Sequence, residues 1–178
     1  KKFQIGNKIL LNLKTKNTNK MGYFNVEVIK PVAPLFFEDK KRSICILSSS
    51  TILKILLPEG QANQKIYHSF EKLINQLNND DWIKYYIYWE LSLIKDLGYE
   101  IKFLDQNRSI NDIKKTIELD GKYFKIPKLL LEKNSRDLSG SKVKEALMFN
   151  KNLLMENFIL PNQLKFPLSR NILENYYN

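Results

Sequence analysis

The chain has 178 residues, enough for one sizeable domain that buries a core without disulfide staples. Its one cysteine, Cys45, excludes an intramolecular disulfide and a cysteine-type zinc cluster, and we interpret it as a small buried apolar residue. No apolar stretch approaches the roughly 18 residues of a membrane span, and no secretory leader opens the chain, so we expect a cytoplasmic protein without a membrane partner.

The positive charge is unevenly distributed along the chain. The formal net charge is +10, and 25 lysines outnumber 4 arginines. Residues 1–30 hold seven lysines against one acidic residue, Glu27, whereas residues 31–98 balance eight cations against eight anions. A basic excess suits a nucleic-acid partner, but the coding bias of an AT-rich genome, visible also in 19 asparagines, explains lysines without any function.

The first elements have the pattern of strands. Residues 11–15 and 23–28 alternate apolar and polar side chains, and the polar, Gly-containing segment 16–22 forms the turn between them. We predict a two-stranded hairpin that Pro31 and Pro34 end. Two strands alone are marginal in water, so we expect them to need partners from upstream sequence, since the chain begins without Met.

After the prolines the apolar spacing becomes helical. We predict helices over residues 43–57 and 63–78, the first of them ended by Pro58 and Gly60. His68, the one histidine, lies on the second helix without another ligand at metal spacing. We interpret it as a surface or packing residue.

A third predicted helix is rich in aromatic side chains. It runs from an N-cap at Asn79, Asp80 or Asp81 to Gly98, and we assign the aspartates to capping rather than catalysis. Its apolar residues nearly encircle it: Trp82, Tyr85, Tyr86, Trp89 and Leu93 on one face, Ile83, Ile87, Leu91 and Ile94 on another. Rings that stack on nucleic-acid bases lie with cations in an open groove, so we predict that these rings fill a core instead.

The rest of the chain combines a hairpin with two more helices. Asp120-Gly121 in "TIELDGKYFKIP" indicates a tight hairpin turn, and helical spacing resumes over residues 139–159 and 168–177. No Walker loop, GxGxxG motif or nucleophile elbow occurs, so we predict no catalytic residue. An enzyme would require a site formed with another chain.

Several stretches resemble the bacterial recombination mediator family RecO. In "LPEGQANQKIYHSFEKLINQL" and "DDWIKYYIYWELSLIKDLGYEI" a Leu-Pro-Glu turn precedes one helix, and a Trp-Glu-Leu helix ends in Leu-Gly, as in that family's helical domain. "IGNKILLNLKTKNTNKMGYFNVEVI" resembles the late strands of the family's OB-fold, and "GKYFKIPKLLLE" and "ALMFNKNLLMENFILP" resemble its later segments.

The resemblance implies an α+β fold. Residues 1–31 would be the C-terminal part of an OB-fold β-barrel, with late strands only, and residues 35–178 a mainly α-helical domain with a small β-hairpin insertion. The family's first OB strands, roughly its first quarter and much of its DNA-binding surface, would be absent. Several members carry a four-cysteine zinc cluster in the segment that corresponds to residues 105–125, where this chain has no cysteine, so we expect neither zinc nor another cofactor.

The resemblance also implies a non-catalytic, nucleoid-associated function in the repair and recombination of damaged DNA. RecO proteins bind single- and double-stranded DNA, anneal complementary strands, engage the acidic tail of the single-stranded-DNA-binding protein, and with RecR help to load RecA. The alternative is a helical protein-interaction module that does not bind DNA.

Candidate binding residues follow from charge and from the resemblance. Lysine is a point charge suited to sequence-independent phosphate contacts, and the candidates for DNA binding are Lys1, Lys2, Lys8, Lys14, Lys16 and Lys20. Each of them is also explained as a solvated, AT-biased surface residue. The family holds the partner tail in an apolar pocket with nearby cations on the helical domain, and we predict Lys84, Tyr88 and Lys95 as partner-binding residues.

Overall fold

The computed structural model describes residues 3–15, 22–99, 102–103, 116–119, 121–131 and 137–177. Within these ranges the chain has an α+β fold with six α-helices and two small antiparallel sheets. The strands are β1 (Lys8–Lys14), β2 (Tyr23–Lys30), β3 (Lys102–Phe103), β4 (Thr116–Leu119) and β5 (Lys122–Lys125). The helices are α1 (Lys40–Leu56), α2 (Gln64–Gln76), α3 (Trp82–Asp96), α4 (Lys128–Leu131), α5 (Gly140–Leu154) and α6 (Leu168–Asn175). None of the helices in these ranges is long and apolar enough to cross a membrane.

The predicted N-terminal hairpin is confirmed as an antiparallel ribbon of β1 and β2. Leu11 pairs with Val26 and Leu13 with Phe24, so apolar side chains share one face of the ribbon. That face is open, since Leu13 is 57% and Phe24 60% exposed. An OB-fold barrel is not confirmed, because the part of this region that the structure describes is a two-stranded sheet.

The base of the ribbon is fixed against the helices by two small residues. Gly6 has φ +94°, and a Cβ atom at this position would lie 2.6 Å from Cγ2 of Ile46 on α1. A side chain there would be both strained and overpacked. The side-chain oxygen of Asn7 accepts hydrogen bonds from the backbone N–H groups of Val32 at 2.9 Å and Ala33 at 3.0 Å. The ribbon therefore leaves the helical body in one fixed direction.

The helix ends correct two sequence predictions and confirm a third. α1 begins at Lys40, not at residue 43, because the Asp39 carboxylate caps it by accepting the Arg42 N–H at 2.9 Å. Asp81 occupies the N-cap position of α3, but its side chain makes no capping hydrogen bond. Gly98 has φ +96° and ends α3 with the two backbone bonds of a Schellman motif.

The aromatic residues of α3 fill the core, as predicted. Trp82 and Trp89 are each 5% exposed, and Tyr86 is fully buried. Tyr85 differs, with 39% of its surface exposed. Base stacking on the two indole rings is therefore incompatible with this packing.

The predicted helix over residues 139–159 is α-helical only to Leu154 and then widens into a π-helical turn, Met155–Ile159. The side-chain amide of Asn157 donates to the Leu153 carbonyl at 2.7 Å, taking an acceptor that the α-helical pattern would use. Pro161 has no N–H to donate to the Asn157 carbonyl, which instead accepts the Tyr99 hydroxyl at 3.0 Å. Helix packing and proline thus account for the wider turn.

The second sheet confirms the predicted hairpin and extends it. β4 and β5 pair in antiparallel fashion, with Gly121 at φ +77° in the turn between them. β3 adds a third strand to β4, and α4 follows β5. The sequence analysis missed both β3 and α4, because elements of two and four residues show no measurable periodicity.

A buried ion pair lies at the centre of the helical domain. Glu90 on α3 and Arg170 on α6 are both fully buried, and the guanidinium meets the carboxylate through Nε at 2.6 Å and Nη2 at 3.2 Å. Nη2 also donates to the Leu147 carbonyl of α5 at 2.7 Å. Burial alone would lower the pKa of Arg170, but the charge and hydrogen bond of Glu90, together with Tyr86 and Glu174, outweigh burial and raise that pKa above its usual range.

Further buried hydrogen bonds connect this pair to two more helices. The Tyr86 hydroxyl donates to Glu90 Oε1 at 2.7 Å and lies 2.8 Å from the Ser48 hydroxyl of α1. Asn150 on α5 donates to Glu90 Oε2 at 3.1 Å and to the Ile87 carbonyl at 2.8 Å. The Glu90 carboxylate thus accepts two hydrogen bonds at each oxygen and connects α3 to α5 and α6 directly and to α1 through Tyr86.

We predict that Arg170→Met lowers the free energy of unfolding by about 3–5 kcal/mol, because it leaves the Glu90 carboxylate buried without its cation. Urea denaturation measures this loss. The double variant Glu90→Gln, Arg170→Met should recover part of it, and Lys165→Met, which removes an exposed cation, is the matched control. A loss no larger than that of the control would show that the pair does not hold the helices together.

Candidate functional site

The ribbon presents Lys14 at its outer end. Lys14 is exposed and lies directly across from Tyr23, which is 65% exposed. Lys1, Lys2, Lys16 and Lys20, the other predicted contacts beyond Lys8, lie outside the described residues. Their role in DNA binding stays a prediction.

Lys8 has a different environment at the base of the ribbon. Its ammonium group lies 2.5 Å from Oε1 of Glu71 on α2, and both side chains are more than one-third exposed. The hydrogen bond to Glu71 raises the pKa of Lys8, and the same bond lowers the pKa of Glu71. Lys8 therefore fixes the ribbon to α2, and a phosphate would have to compete with Glu71 for it.

A groove of about 630 Å³ runs between α2 and α3. One wall follows α3 at helical spacing through Tyr85, Trp89, Ser92 and Asp96, and the other follows α2 through Lys65, Ser69, Lys72 and Gln76. From Tyr85 to Asp96 the wall rises about 16 Å, at 1.5 Å per residue. This length suits an extended chain of four or five residues.

The charges of the groove are mostly positive. Lys65, His68 and Lys72 line the α2 side and are exposed, whereas Asp96 is the acidic residue among the described lining residues. The Lys65 ammonium lies 2.6 Å from Asp96 Oδ1, and the Asp96 side chain is only 3% exposed. One end of the groove is therefore neutralised, and the remaining positive charge of the lining is that of Lys72.

The predicted partner-binding residues are only partly collected at this groove. Tyr88 lines it, and its hydroxyl donates to the Leu129 carbonyl at 3.5 Å. Lys84 and Lys95 lie on α3 outside the lining that the structure describes. Their role stays a prediction.

The sequence analysis missed the cations on α2. Lys65 and Lys72 are seven residues apart, two helical turns, on the edge of the apolar stripe of that helix. That spacing was a usable signal, but it was interpreted as a solvated face. His68, interpreted as a surface or packing residue, has a side chain that is 65% exposed and lies 3.9 Å from Glu71 Oε2.

Two further observations concern reactive and metal-binding side chains among the described residues. Burial raises the pKa of the Cys45 thiol well above its usual range, which keeps the thiol protonated and unreactive. Within the described ranges no three His, Cys, Asp or Glu side chains are grouped to hold a metal ion. Most of the segment 105–125, on which the expectation about zinc rests, lies outside those ranges.

The described residues form a mainly helical α+β domain that carries a basic N-terminal ribbon. A family model described as "Recombination protein O C terminal" matches residues 38–145. The match covers more than half of the chain, and the chain belongs to this family.

Curated relatives agree with the family assignment. The chain is 34% identical over 102 residues to a DNA repair protein RecO of Wolbachia sp. subsp. Drosophila simulans (strain wRi). The matched segment covers 56% of this chain and 42% of that protein. It is 30% identical over 100 residues to a DNA repair protein RecO of Ehrlichia chaffeensis, covering 55% of this chain and 41% of that protein. The match thus spans about two fifths of the length of these relatives. No solved structure matches the chain significantly.

The family assignment implies a role in DNA repair and recombination.

Proposed function

We propose that the chain is a DNA repair and recombination accessory that binds single- and double-stranded DNA through its N-terminal ribbon. The observation that carries this proposal is the charge of residues 1–30, which contain seven lysines and one acidic residue. The chain that carries this charge belongs to the recombination protein O family. Lysines contact phosphates without regard to base sequence. The burial of Trp82 and Trp89 supports a contact that depends on charge rather than on stacking against α3.

Within the ribbon, we assign the main phosphate contacts to its outer end. Lys14 is exposed there, and Lys16 and Lys20 follow in the connecting segment. Lys8 contributes less, because Glu71 already neutralises it. Contacts restricted to phosphates leave the base edges free to pair, which is what annealing of complementary strands requires.

We further propose that the chain binds the acidic tail of the single-stranded-DNA-binding protein in the α2–α3 groove. The support is chemical: an acidic peptide with an apolar end needs cations beside an apolar wall, and Lys72 lies with Leu73 and Trp89 in the groove lining. A chain that binds RecR, DNA and this tail would help to load RecA onto single-stranded DNA that the single-stranded-DNA-binding protein covers.

The second candidate is a helical protein-interaction module that does not bind DNA. The pairing of Lys8 with Glu71 favours it, since a lysine held by a carboxylate contributes to folding rather than to phosphate binding. Titration of a single-stranded oligonucleotide in a gel-shift assay separates the two candidates. The module would keep the peptide site and leave the oligonucleotide unbound at low salt.

We predict that replacing Lys14, Lys16 and Lys20 together by Ala flattens the salt dependence of single-strand binding. Each neutralised phosphate contributes about 0.7 to the slope of log K against log salt, so three lost contacts reduce its magnitude by about 2. Fluorescence anisotropy over a salt series measures the slope. The matched control Lys125→Ala, Lys128→Ala, Lys165→Ala loses the same charge from exposed positions elsewhere and should keep the slope. An equal change in both variants would exclude the ribbon from the contact.

We predict that Lys72→Glu weakens binding of a synthetic acidic peptide with a C-terminal phenylalanine about tenfold, because it places a like charge in the groove. Lys95→Glu makes the same charge change on exposed α3 surface outside the groove lining. Isothermal titration calorimetry compares the two variants, with thermal melts to verify folding. A loss caused by Lys95→Glu and not by Lys72→Glu would place the peptide on the α3 face that the sequence predicted.

A further inference from the structure

Two buried polar atoms in the groove lack a hydrogen-bond partner among the described residues: Nε1 of Trp89 and Oδ2 of Asp96. Buried polar groups in native proteins are nearly always hydrogen-bonded, so each exception calls for an explanation. Both atoms belong to residues that line one groove on one helix. A ligand bound in this groove would supply both missing partners.

The indole nitrogen specifies what kind of atom is missing. An indole N–H is a donor only, so its partner is an acceptor. The ring cannot turn away to find one, because its centroid lies 6.1 Å from that of Phe70 and 5.9 Å from that of Tyr86, and the side chain is 95% buried. Trp89 therefore presents a fixed donor.

The helix register indicates which cation lies across from this donor. α2 and α3 are joined by a five-residue connection, which makes them antiparallel neighbours. Lys65 on α2 contacts Asp96 on α3 at 2.6 Å. In antiparallel helices, seven residues forward from Lys65 correspond to seven residues back from Asp96, so Lys72 lies opposite Trp89. The Trp89 indole N–H and the Lys72 ammonium group on opposite walls together favour an anionic acceptor between them.

The other end of the groove disfavours such an acceptor. Asp96 is buried there and already pairs with Lys65, so this end has no further cation to offer a second carboxylate. This asymmetry also selects the ligand class. A nucleic acid carries a charge at every unit and would place one beside Asp96, whereas a peptide can have a carboxylate at Trp89 and a neutral N–H group beside Asp96 Oδ2.

We propose that the Trp89 indole N–H is a specificity-determining donor that, together with Lys72, binds a carboxylate of an acidic peptide in the α2–α3 groove. This inference rests on the peptide site of the proposed function. The nitrogen is buried in the unbound chain, so the proposal requires the side chains of the groove lining to move when the peptide enters. The free oxygen of Asp96 then accepts a main-chain N–H further along the same peptide.

The two tryptophans of the chain allow a direct test by NMR. A ¹⁵N-labelled sample gives two indole signals, and the variant Trp82→Phe assigns them. The intact chain is titrated with a synthetic acidic peptide that has a free C-terminal carboxylate. The Trp89 indole proton should shift downfield, as expected on hydrogen bonding to a carboxylate, while the Trp82 signal stays in place.

A substitution supplies the affinity test. Trp89→Phe keeps an aromatic ring in the core and removes only the donor, so it should weaken peptide binding about tenfold, the effect of one hydrogen bond to a charged group. Trp82→Phe is the matched control and should leave the affinity unchanged. If Trp89→Phe does not fold, the titration of the unaltered protein decides by itself.

The contrary outcomes are distinct. Peptide binding with an unmoved Trp89 signal, or with equal affinity for Trp89→Phe, would overturn this inference and leave the groove as the peptide site. No peptide binding at all would overturn the peptide site of the proposed function and this inference with it, while DNA binding by the ribbon would stand. A shift of the Trp89 signal by a single-stranded oligonucleotide instead of the peptide would assign the groove to nucleic acid and overturn the inference.

Discussion

The structure depends on a carboxylate and a guanidinium that meet out of contact with water. Glu90 receives two hydrogen bonds from Arg170, one from Tyr86 and one from Asn150, and these residues lie on three helices. A buried ion pair contributes little net stability over well-packed apolar residues, but losing one partner is costly. The pair therefore constrains how α3 is oriented more than it strengthens the fold. The next residue back, Trp89, packs against Phe70 of α2 and lines the groove.

α2 connects the two proposed binding surfaces. One edge carries Glu71, which holds Lys8 and with it the base of the ribbon, and the next residue, Lys72, lines the groove. The ribbon is held at its base by Gly6 and Asn7 and is exposed at its outer end. Under the proposed function, nucleic acid and a protein tail would thus bind at separate places on the chain, without competing for the same lysines.

The sequence predicted best where one pattern decides the structure. The alternation of residues 11–15, the aromatic surface of α3 and the glycine at position 98 each favour one structure over its alternatives, and the structure confirms all three. The start of α1 was missed because Asp39 caps it from within a charged run that showed no apolar periodicity. A local sequence pattern determines whether a helix or a strand forms, but it does not determine the residues at which that helix or strand begins and ends.

The candidate site was less predictable because it depends on contacts between distant residues. Glu90 and Arg170 are 80 positions apart, and nothing in either neighbourhood marks them as partners. Likewise Lys65 and Lys72 have the spacing of an ordinary solvated helix face, and only the packing of α3 beside them makes that face a groove. Tyr88 lies in the groove lining, and its role in partner binding stays a prediction.

The central claim is that nucleic acid meets the ribbon while the tryptophans stay inside the protein. Backbone and indole NMR signals recorded during titration with a single-stranded oligonucleotide test this claim most directly. The account predicts that the amide signals of β1 and β2 shift, with the largest changes near Lys14, while both indole signals remain where they were. Movement of the Trp82 and Trp89 signals over an unchanged ribbon would contradict it.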